Sequence, residues 1–443
     1  MSNFVLKVKD IYHFILRKNP IFFALIYAVI FKFSKKKISK KKNSTKKIFV
    51  LNKIRFWKDL EELDKSESLE FFYFEKKKMS LLIEPFVKTI RKKIKSSSSK
   101  TYWFDYSNEK FFRDYLNSHT KFISYFLKYF DYFNKFDSII TPSLWYLQDQ
   151  AFEKGSNLSN KRFIFLHKEN SVQKSDIEKK ASILKKQLIK CGPMSFVIVY
   201  NENTKELICK TKKIGADRVL VLGCPRIDEY IKFNSTNPKT ITLSSFRYDL
   251  YMNFFKVNDR SHPFETSDNN LILFFNKVHS LFIDFAIKYK NEKFLIKIKY
   301  SHIWKKKIED LILEKENKIN YKIDNLKIVS DELHMSEVLQ DTKLFVGINS
   351  LSLVEARILG IPCIVPNFKI IENYDQNLFF KKYFNNELIE ARNEDVFKEK
   401  INFFINKTFK KEITELNKPF VKEFFGYNDG KNTERNINFL KDI

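Results

Sequence analysis

The stretch KLFVGINSLSLVEARILGIPCIVPNF, residues 343–368, indicates the fold class of this chain. Its apolar run LFVGI, bounded by polar residues, predicts a buried strand of a parallel sheet. A short helix is expected next, because Gly360 suits a helix C-cap and IPCIV is typical of the following strand. Strand, turn, helix and strand within 26 residues are the repeating unit of an α/β fold.

The turn between this strand and helix consists of small and polar residues. Gly347, Asn349, Ser350 and Ser352 lie in it, and Glu355 follows three residues later. The N–H groups and positive dipole end of a helix start favour a bound anion. Ser352-Leu-Val-Glu355 also matches the capping box, in which the two side chains satisfy the helix start themselves. Glu355 can therefore be a capping residue or a residue of a ligand site, and both interpretations are open at this point.

The composition excludes several classes of protein. With 443 residues, of which 44% are hydrophobic, the chain has room for two or three domains with proper cores and is not disordered. The four cysteines lack C-x-x-C spacing and the seven histidines lack H-x-x-x-H spacing. We therefore expect no disulfide frame and no structural zinc, and a reducing cytoplasm as the compartment.

The formal net charge of +28 makes a basic nucleic-acid-binding protein a distant alternative. Lysine supplies 69 of the 81 basic residues and arginine only 12. Base recognition and bidentate phosphate recognition favour arginine, so we expect no nucleic acid partner. The charge instead favours anionic membrane surfaces and phosphate-bearing ligands.

Residues 1–45 are predicted to form an apolar and basic helical segment. The run IFFALIYAVIF at 21–31 has 11 apolar residues and is followed by a lysine cluster. It falls short of the roughly 18 apolar residues that a membrane span needs. An interfacial helix held by anionic lipid at the inner face of the cytoplasmic membrane fits this pattern. A helix packed on the first domain beside a solvated lysine run fits it equally well.

From residue 46 onwards, short apolar strands alternate with helices. Strands predicted near 47–53, 69–75, 136–142, 161–167, 195–200 and 218–223 form a first Rossmann-like domain at 46–232, with a basic loop at 88–100. Strands near 240–246, 293–299, 326–330, 344–348 and 361–365 form a second Rossmann-like domain at 233–395. Residues 396–443 are predicted to be helical and basic. We expect an α/β fold with two parallel-sheet domains facing across a cleft, where ligands bind at the carboxyl ends of the strands.

Polar residues follow most of these strands. His167 is a candidate general base, because an imidazole pKa lies near working pH, and Glu169 is expected to orient it or to act as the base itself. Arg226 and Asp228 mark the domain junction, either as a mutual ion pair or as substrate contacts. The second domain carries a larger set at its strand ends: Ser244, Ser245, Arg247, Lys297, Lys299, His334 and the turn from Gly347 to Ser352.

Four segments carry a family resemblance: HKEN (167–170), YNENTKE (200–206), GCPRID (223–228) and GINSLSLVEARILGIPCIV (347–365). They resemble bacterial glycosyltransferases of the GT-B architecture, in particular the proteins of capsule and lipopolysaccharide biosynthesis. YNDGKNTER (427–435) resembles the C-terminal helix with which that family crosses back to its first domain. The resemblance spans roughly residues 45–440 and is distributed over many short segments.

The resemblance implies a metal-independent transferase without a cofactor, for which a nucleotide-diphospho-sugar is the co-substrate. It further implies that domain 46–232 binds the acceptor, that domain 233–395 binds the nucleotide-sugar, and that the helices of 396–443 cross back to the first domain. The turn residues Asn349, Ser350 and Ser352 would contact the diphosphate, and Glu355 would contact sugar hydroxyls. The donor-binding set would further include Ser244, Ser245, Arg247, Lys297, Lys299, His334 and Gly347. The family often has a His-Pro pair where this chain has Tyr300-Ser301-His302, so the phosphate role of the neighbouring lysines, or of His302, is open.

The expected activity is sugar transfer to a surface glycan or a lipid-linked acceptor. Two alternatives share the fold: a nucleotide-sugar 2-epimerase, which needs no acceptor, and a CDP-alcohol glycerophosphotransferase.

Overall fold

The structure is a computed structural model of the full chain. It describes residues 15–41, 44–96, 109–144, 146–168, 171–188, 190–233, 237–246, 269–298, 302–330, 332–371, 380–407 and 419–443. The chain divides into two compact units: unit 1 comprises Met1–Asp228 and Phe425–Ile443, and unit 2 comprises Glu229–Phe424.

The core of unit 1 is a parallel sheet. Within the described ranges its strand order is β1-β3-β2-β4-β5-β6-β7, and every neighbouring pair is parallel except the antiparallel edge pair β1–β3. The strands are β1 (Lys36–Lys37), β2 (Lys46–Val50), β3 (Leu69–Tyr73), β4 (Ser138–Thr141), β5 (Arg162–Leu166), β6 (Ser195–Val199) and β7 (Val219–Val221).

Helices cover both faces of this sheet, as a fully buried parallel sheet requires. They are α1 (Pro20–Lys32), α2 (Trp57–Asp64), α3 (Lys76–Ser96), α4 (Lys110–Asn134), α5 (Leu147–Leu158), α6 (Ile177–Gln187) and α7 (Glu202–Lys210). Phenylalanine dominates the main core, where the ring centroids of Phe49 and Phe72 lie 5.4 Å apart and those of Phe126 and Phe130 lie 5.5 Å apart.

The core of unit 2 is a second sheet. Its order, among the described residues, is β10-β9-β8-β11-β12-β13, and all five pairs are parallel. The strands are β8 (Thr240–Ser244), β9 (Lys293–Lys297), β10 (Leu326–Val329), β11 (Thr342–Val346), β12 (Cys363–Pro366) and β13 (Ile389–Ala391). Its helices are α9 (Asn269–Lys288), α10 (His302–Ile319), α11 (Met335–Gln340), α12 (Leu351–Ile358) and α13 (Glu394–Ile405).

Three short helices complete the chain. The chain passes from unit 1 to unit 2 within α8 (Ile227–Ile231) and returns within α14 (Pro419–Phe425), and α15 (Asn432–Asp442) belongs to unit 1. Asp228 accepts hydrogen bonds from Nδ2 of Asn432 at 2.8 Å and from the backbone N–H of Thr433 at 2.6 Å. These contacts fix the start of α15 on unit 1.

One helix in the part of the chain that the structure describes, α9, is long and apolar enough to cross a membrane by length and composition. Phe274, Phe275, Val278 and Phe282 of α9 are buried in the core of unit 2. This packing is that of a core helix of an α/β domain.

Two Rossmann-like parallel sheets confirm the fold class expected from the sequence. The predicted loop at 88–100 is wrong over residues 88–96, which continue α3. That prediction rested on the polar and basic composition of the segment, and residues 97–100 lie outside the described residues. The two-residue strand β1 and the three-residue strand β13 had no apolar run long enough to predict them.

Candidate functional site

The order of the strands in unit 2 creates a switch point between β8 and β11. From β8 the chain continues to β9 and β10 on one side, then returns to β11 and continues to β12 and β13 on the other. In open α/β sheets, ligands bind in the crevice outside the carboxyl ends of the strands at such a point. The turn Gly347–Ser352 follows β11 there, Ser244 ends β8, and Ser245 follows it.

The sheet register places three of the predicted residues side by side. Ser244 of β8 pairs with Lys297 of β9, and Val346, directly before Gly347, pairs with Leu243. The backbone N–H of Ser245 also donates to the carbonyl of Lys297 at 2.8 Å. Adjacent strands lie about 4.8 Å apart, so the ends of β9, β8 and β11 form a continuous row of polar residues.

The turn after β11 is shaped to start a helix. Asn349 adopts a left-handed conformation with φ of 45°, which asparagine tolerates better than most residues. Ser350 is the N-cap of α12: its Oγ accepts from the backbone N–H of Ser352 at 3.3 Å and lies 2.7 Å from Oγ of Ser352. Both serines are half-buried, so their hydroxyls can still reach a ligand.

This geometry corrects the capping box considered for Ser352 and Glu355. Because Ser350 is the cap, Ser352 already lies inside α12 and cannot be the capping residue. Glu355 is 5% exposed, and its Oε2 accepts a hydrogen bond from the hydroxyl of Tyr230 at 3.1 Å. Tyr230 was missed from the sequence, because 125 residues separate it from Glu355.

A buried histidine holds Ser245. Nδ1 of His279 lies 2.8 Å from the carbonyl of Phe275, so Nδ1 donates, and Nε2 is left to accept from the hydroxyl of Ser245 at 2.9 Å. Burial lowers the pKa of His279 to about 4, so the ring is neutral at physiological pH and keeps this arrangement. His279 was not a sequence candidate, since it lies in the middle of an apolar helix.

Lys297 and His334 are engaged in local structure. Lys297 is 8% exposed as a residue, and its ammonium donates to the backbone carbonyls of Ser330 and Ile298. Nδ1 of His334 accepts from the N–H of Ser336 at 3.3 Å, while the carboxylate of Glu337 accepts from the N–H of His334 at 2.6 Å. His334 is thus the N-cap of α11, and its role in donor binding stays a prediction.

Three predicted site residues, Glu169, Arg247 and Lys299, lie outside the described residues. His302 is the first residue of α10. The roles predicted for these four side chains stay predictions.

Unit 1 has its own switch point, between β2 and β4. Nδ2 of Asn52, two residues after β2, donates to the carboxylate of Asp149 at 2.9 and 3.1 Å, and the hydroxyl of Thr141 at the end of β4 donates to it at 2.5 Å. Burial raises the pKa of Asp149 to about 7, against the opposing effect of these two donors. Asp149 was not predicted, because nothing in LQDQAF marks its aspartate as buried.

His167, the predicted base, follows β5, and its side chain has no exposed surface. The backbone N–H of His167 donates to the carbonyl of Ile198 at 2.8 Å, and the backbone N–H of Lys168 donates to the carbonyl of Pro142 at 3.1 Å. These bonds place it beside the end of β4. A base must reach the acceptor hydroxyl, so catalysis by His167 requires a movement that exposes the ring.

Arg226 contacts unit 1 residues. Its guanidinium donates to the carboxylate of Asp59 at 2.9 Å and lies over the rings of Tyr200 and Phe425, at 5.6 and 5.8 Å from their centroids. Asp59 and Tyr200 are buried. Arg226 and Asp228 thus hold the C-terminal segment on unit 1, through Phe425 and through the start of α15 respectively.

Among the residues described, no group of three or more histidine, cysteine, aspartate or glutamate side chains is arranged to hold a metal ion.

No family model matches the sequence, and no curated protein matches it. Similar solved structures include a UDP-GlcNAc 2-epimerase from Methanocaldococcus jannaschii, at 13% identity over 90% of this chain and 99% of that chain with a TM-score of 0.48. A glycosyltransferase from Rickettsia africae ESF-5 has 13% identity over 90% and 99% of the two chains with a TM-score of 0.42. The wall teichoic acid polymerase TagF has 12% identity over 72% and 75%, also with a TM-score of 0.42. This similarity does not distinguish an epimerase from a transferase.

Proposed function

We propose that the protein is a glycosyltransferase that moves a sugar from a nucleotide-diphospho-sugar to a surface glycan or a lipid-linked acceptor. The observation that supports it most is the convergence at the switch point of unit 2. Two serines at the end of β8, a serine-rich turn, a helix start and a buried lysine all lie at the carboxyl edge of one sheet. Such a set suits a ligand with a diphosphate group.

In this proposal the diphosphate lies over the turn Gly347–Ser352. The helix start of α12 and the hydroxyls of Ser350 and Ser352 donate to its oxygens. Ser245, directly after β8, borders the diphosphate, and its hydroxyl proton is already donated to His279. Lys297 adds positive charge, since it is adjacent to Ser244 in the sheet. Glu355, on the second turn of α12, is the acceptor for a hydroxyl of the nucleotide's sugar.

The reaction breaks the bond between the anomeric carbon and the diphosphate oxygen and forms one from that carbon to the acceptor oxygen. Negative charge develops on the departing nucleoside diphosphate, so donors already fixed around it lower the barrier. The acceptor hydroxyl loses its proton to a general base, for which His167 and Glu169 are our candidates. The nucleotide-sugar is the co-substrate, and the proposal requires no other cofactor.

The acceptor class rests on the sequence resemblance to capsule and lipopolysaccharide biosynthesis proteins. Nucleotide-sugars are cytoplasmic metabolites, so we place the protein in the cytoplasm of a bacterium.

The test is transfer from a panel of labelled nucleotide-sugars into a bacterial lipid and glycan fraction. Ser350→Ala and Glu355→Ala should each lower transfer about tenfold or more, since each removes a polar contact to the donor. Ser182→Ala and Glu314→Ala are matched controls, because both residues are exposed and lie inside helices, α6 of unit 1 and α10 of unit 2. Undiminished transfer and donor affinity in both site variants would overturn the site.

The same panel decides between reactions. Each nucleotide-sugar is also incubated without acceptor, and its sugar is examined for inversion at C2. Epimer formation from UDP-N-acetylglucosamine alone would replace the transferase by a nucleotide-sugar 2-epimerase. Consumption of a CDP-alcohol with release of CMP would replace it by a glycerophosphotransferase.

A further inference from the structure

Helix α1 is apolar on every side, and among the described residues one of its faces is buried and the other is exposed. Ala24, Tyr27, Ala28 and Phe31 are buried against unit 1. The rings of Tyr27 and Phe31 pack edge-on against Phe122 and Phe126 of α4, with centroids 5.8 and 5.5 Å apart. The contacts of this face hold α1 in position on unit 1. They do not explain why the opposite face is apolar as well.

The second face is exposed and almost purely aliphatic and aromatic. We call it the apolar stripe, and its members are Ile21, Phe22, Leu25, Ile26, Val29, Ile30 and Phe33. Their spacing of one, three, one, three, one and three residues keeps them on one side of a helix. Phe22 is 62% exposed and Phe33 is 79% exposed. A contiguous apolar surface of this kind on a folded protein marks an interaction site.

Positive charge flanks the apolar stripe. Residues 32–41 contain six lysines and no acidic residue, and Lys18 lies just before the helix. Lys32, Lys35, Lys36, Lys37 and Lys40 are exposed. Among the described residues, three acidic residues pair with this cluster: Glu75 with Lys36, Glu70 with Lys37 and Glu67 with Lys41. The cluster therefore keeps a positive excess next to the apolar surface.

We propose that the apolar stripe docks the protein on a bilayer rich in anionic lipid, with α1 lying in the plane of the interface. The helix has 13 residues, about 20 Å at 1.5 Å per residue, so it is too short for the roughly 30 Å hydrocarbon core. Aliphatic and aromatic side chains on one face with lysines at the edge are the pattern of an interfacial helix. The lysines contact lipid phosphates while the stripe enters the acyl boundary.

Charge complementarity selects the bilayer over a second copy of the chain. A second copy would bring the same net charge of +28, and therefore repulsion, to the contact. An anionic bilayer brings the opposite charge and an apolar interior of unlimited area. The inference is independent of the proposed reaction, since the docking surface includes no residue of the donor site.

The test is co-sedimentation of the protein with two kinds of vesicle. The mixed vesicles contain phosphatidylglycerol and phosphatidylcholine, and the neutral vesicles contain phosphatidylcholine alone. We expect binding to the mixed vesicles and at least about tenfold weaker binding to the neutral ones. The double variant Phe22→Asp/Ile26→Asp should bind the mixed vesicles at least about tenfold more weakly. Lys32→Glu/Lys40→Glu should weaken binding mainly at low salt.

The matched control is Leu313→Asp/Phe403→Asp, which changes two comparably exposed apolar residues on α10 and α13. It should bind as the unaltered protein does, and circular dichroism should show all variants folded. Equal binding by the stripe variant and the control would overturn the proposal. The proposal would also be overturned if the unaltered protein is a dimer that does not bind vesicles and if the stripe variant is a monomer. A second copy of the chain would then occupy the apolar stripe.

Discussion

Glu355 is where structure and chemistry compete most directly at the scale of one residue. Its carboxylate is buried and bonded to Tyr230, which is a sufficient reason for its presence. It also lies on the second turn of a helix whose start faces the switch point of the sheet. A substitution that separates the charge from the hydrogen bond can distinguish the two roles.

Glu355→Gln keeps an oxygen that accepts from Tyr230 and removes the charge. We expect the free energy of unfolding to change by less than about 1 kcal/mol and the donor Kd to rise about tenfold, measured by urea unfolding and by calorimetric titration. Tyr230→Phe is the control, with unfolding easier by about 1–2 kcal/mol and the donor Kd nearly unchanged. If Glu355→Gln binds donor as tightly as the unaltered protein, Glu355 is a structural residue.

Asp149 predicts a pH dependence of stability. Its folded pKa, about 7, lies above the ordinary value of 3.8, so the native state holds a proton that the unfolded chain releases. Its contribution is complete below pH 4 and is lost as pH rises to about 7, on the order of a few kcal/mol. The buried His119 and His279, with pKa values of about 3 and 4, oppose it in part of this window.

Asp149→Asn removes the titrating group and keeps its shape. The free energy of unfolding of the unaltered protein minus that of this variant, measured in urea from pH 4 to pH 8, should decrease as pH rises. Two parallel profiles would show that Asp149 does not carry a proton in the native state.

At the scale of the element, the strands could be predicted from the sequence, but the side chains that contact the site residues could not. Apolar runs such as FIFL and LFV are buried on both faces, so composition alone identifies them as strands of parallel sheets. Because the carboxyl ends of the strands of one parallel sheet share one edge, the position of Ser244 and Ser350 followed too. The contacts of Glu355 with Tyr230, and of Ser245 with His279, depend on packing between distant segments and left no local pattern.

The junction of α15 with unit 1 depends on a glycine. Gly223 has φ of 79°, and a Cβ there would lie 1.8 Å from Oδ1 of Asn432, the residue that begins α15. Gly223→Ala should therefore lower the free energy of unfolding by about 2–4 kcal/mol through backbone strain and displacement of the helix.

Gly430→Ala is the matched control for this change. Gly430 has a similar φ of 73° and is exposed, so it reports the backbone cost alone, about 1 kcal/mol. Equal losses in the two variants, measured by urea unfolding, would show that the close approach to Asn432 does not contribute.

At the scale of the whole molecule, two features underlie the binding proposals: the two parallel sheets, for the nucleotide-sugar, and the large positive charge, for the anionic bilayer. The sequence predicted two α/β domains, because strand and helix patterns alternate on both sides of a polar linker at 232–240. The charge was ambiguous in the sequence. The structure gives part of it a location, since the lysines of residues 32–41 lie beside the exposed stripe of α1.

The central claim is that the switch point between β8 and β11 binds the diphosphate of a nucleotide-sugar. Backbone hydrogen exchange of the full-length protein, measured with and without UDP, GDP, CDP and ADP, tests it directly. For the nucleotide that binds, we predict slower exchange at residues 347–355 and 244–246. Binding that protects other strand ends and leaves both of these segments unchanged would contradict the claim.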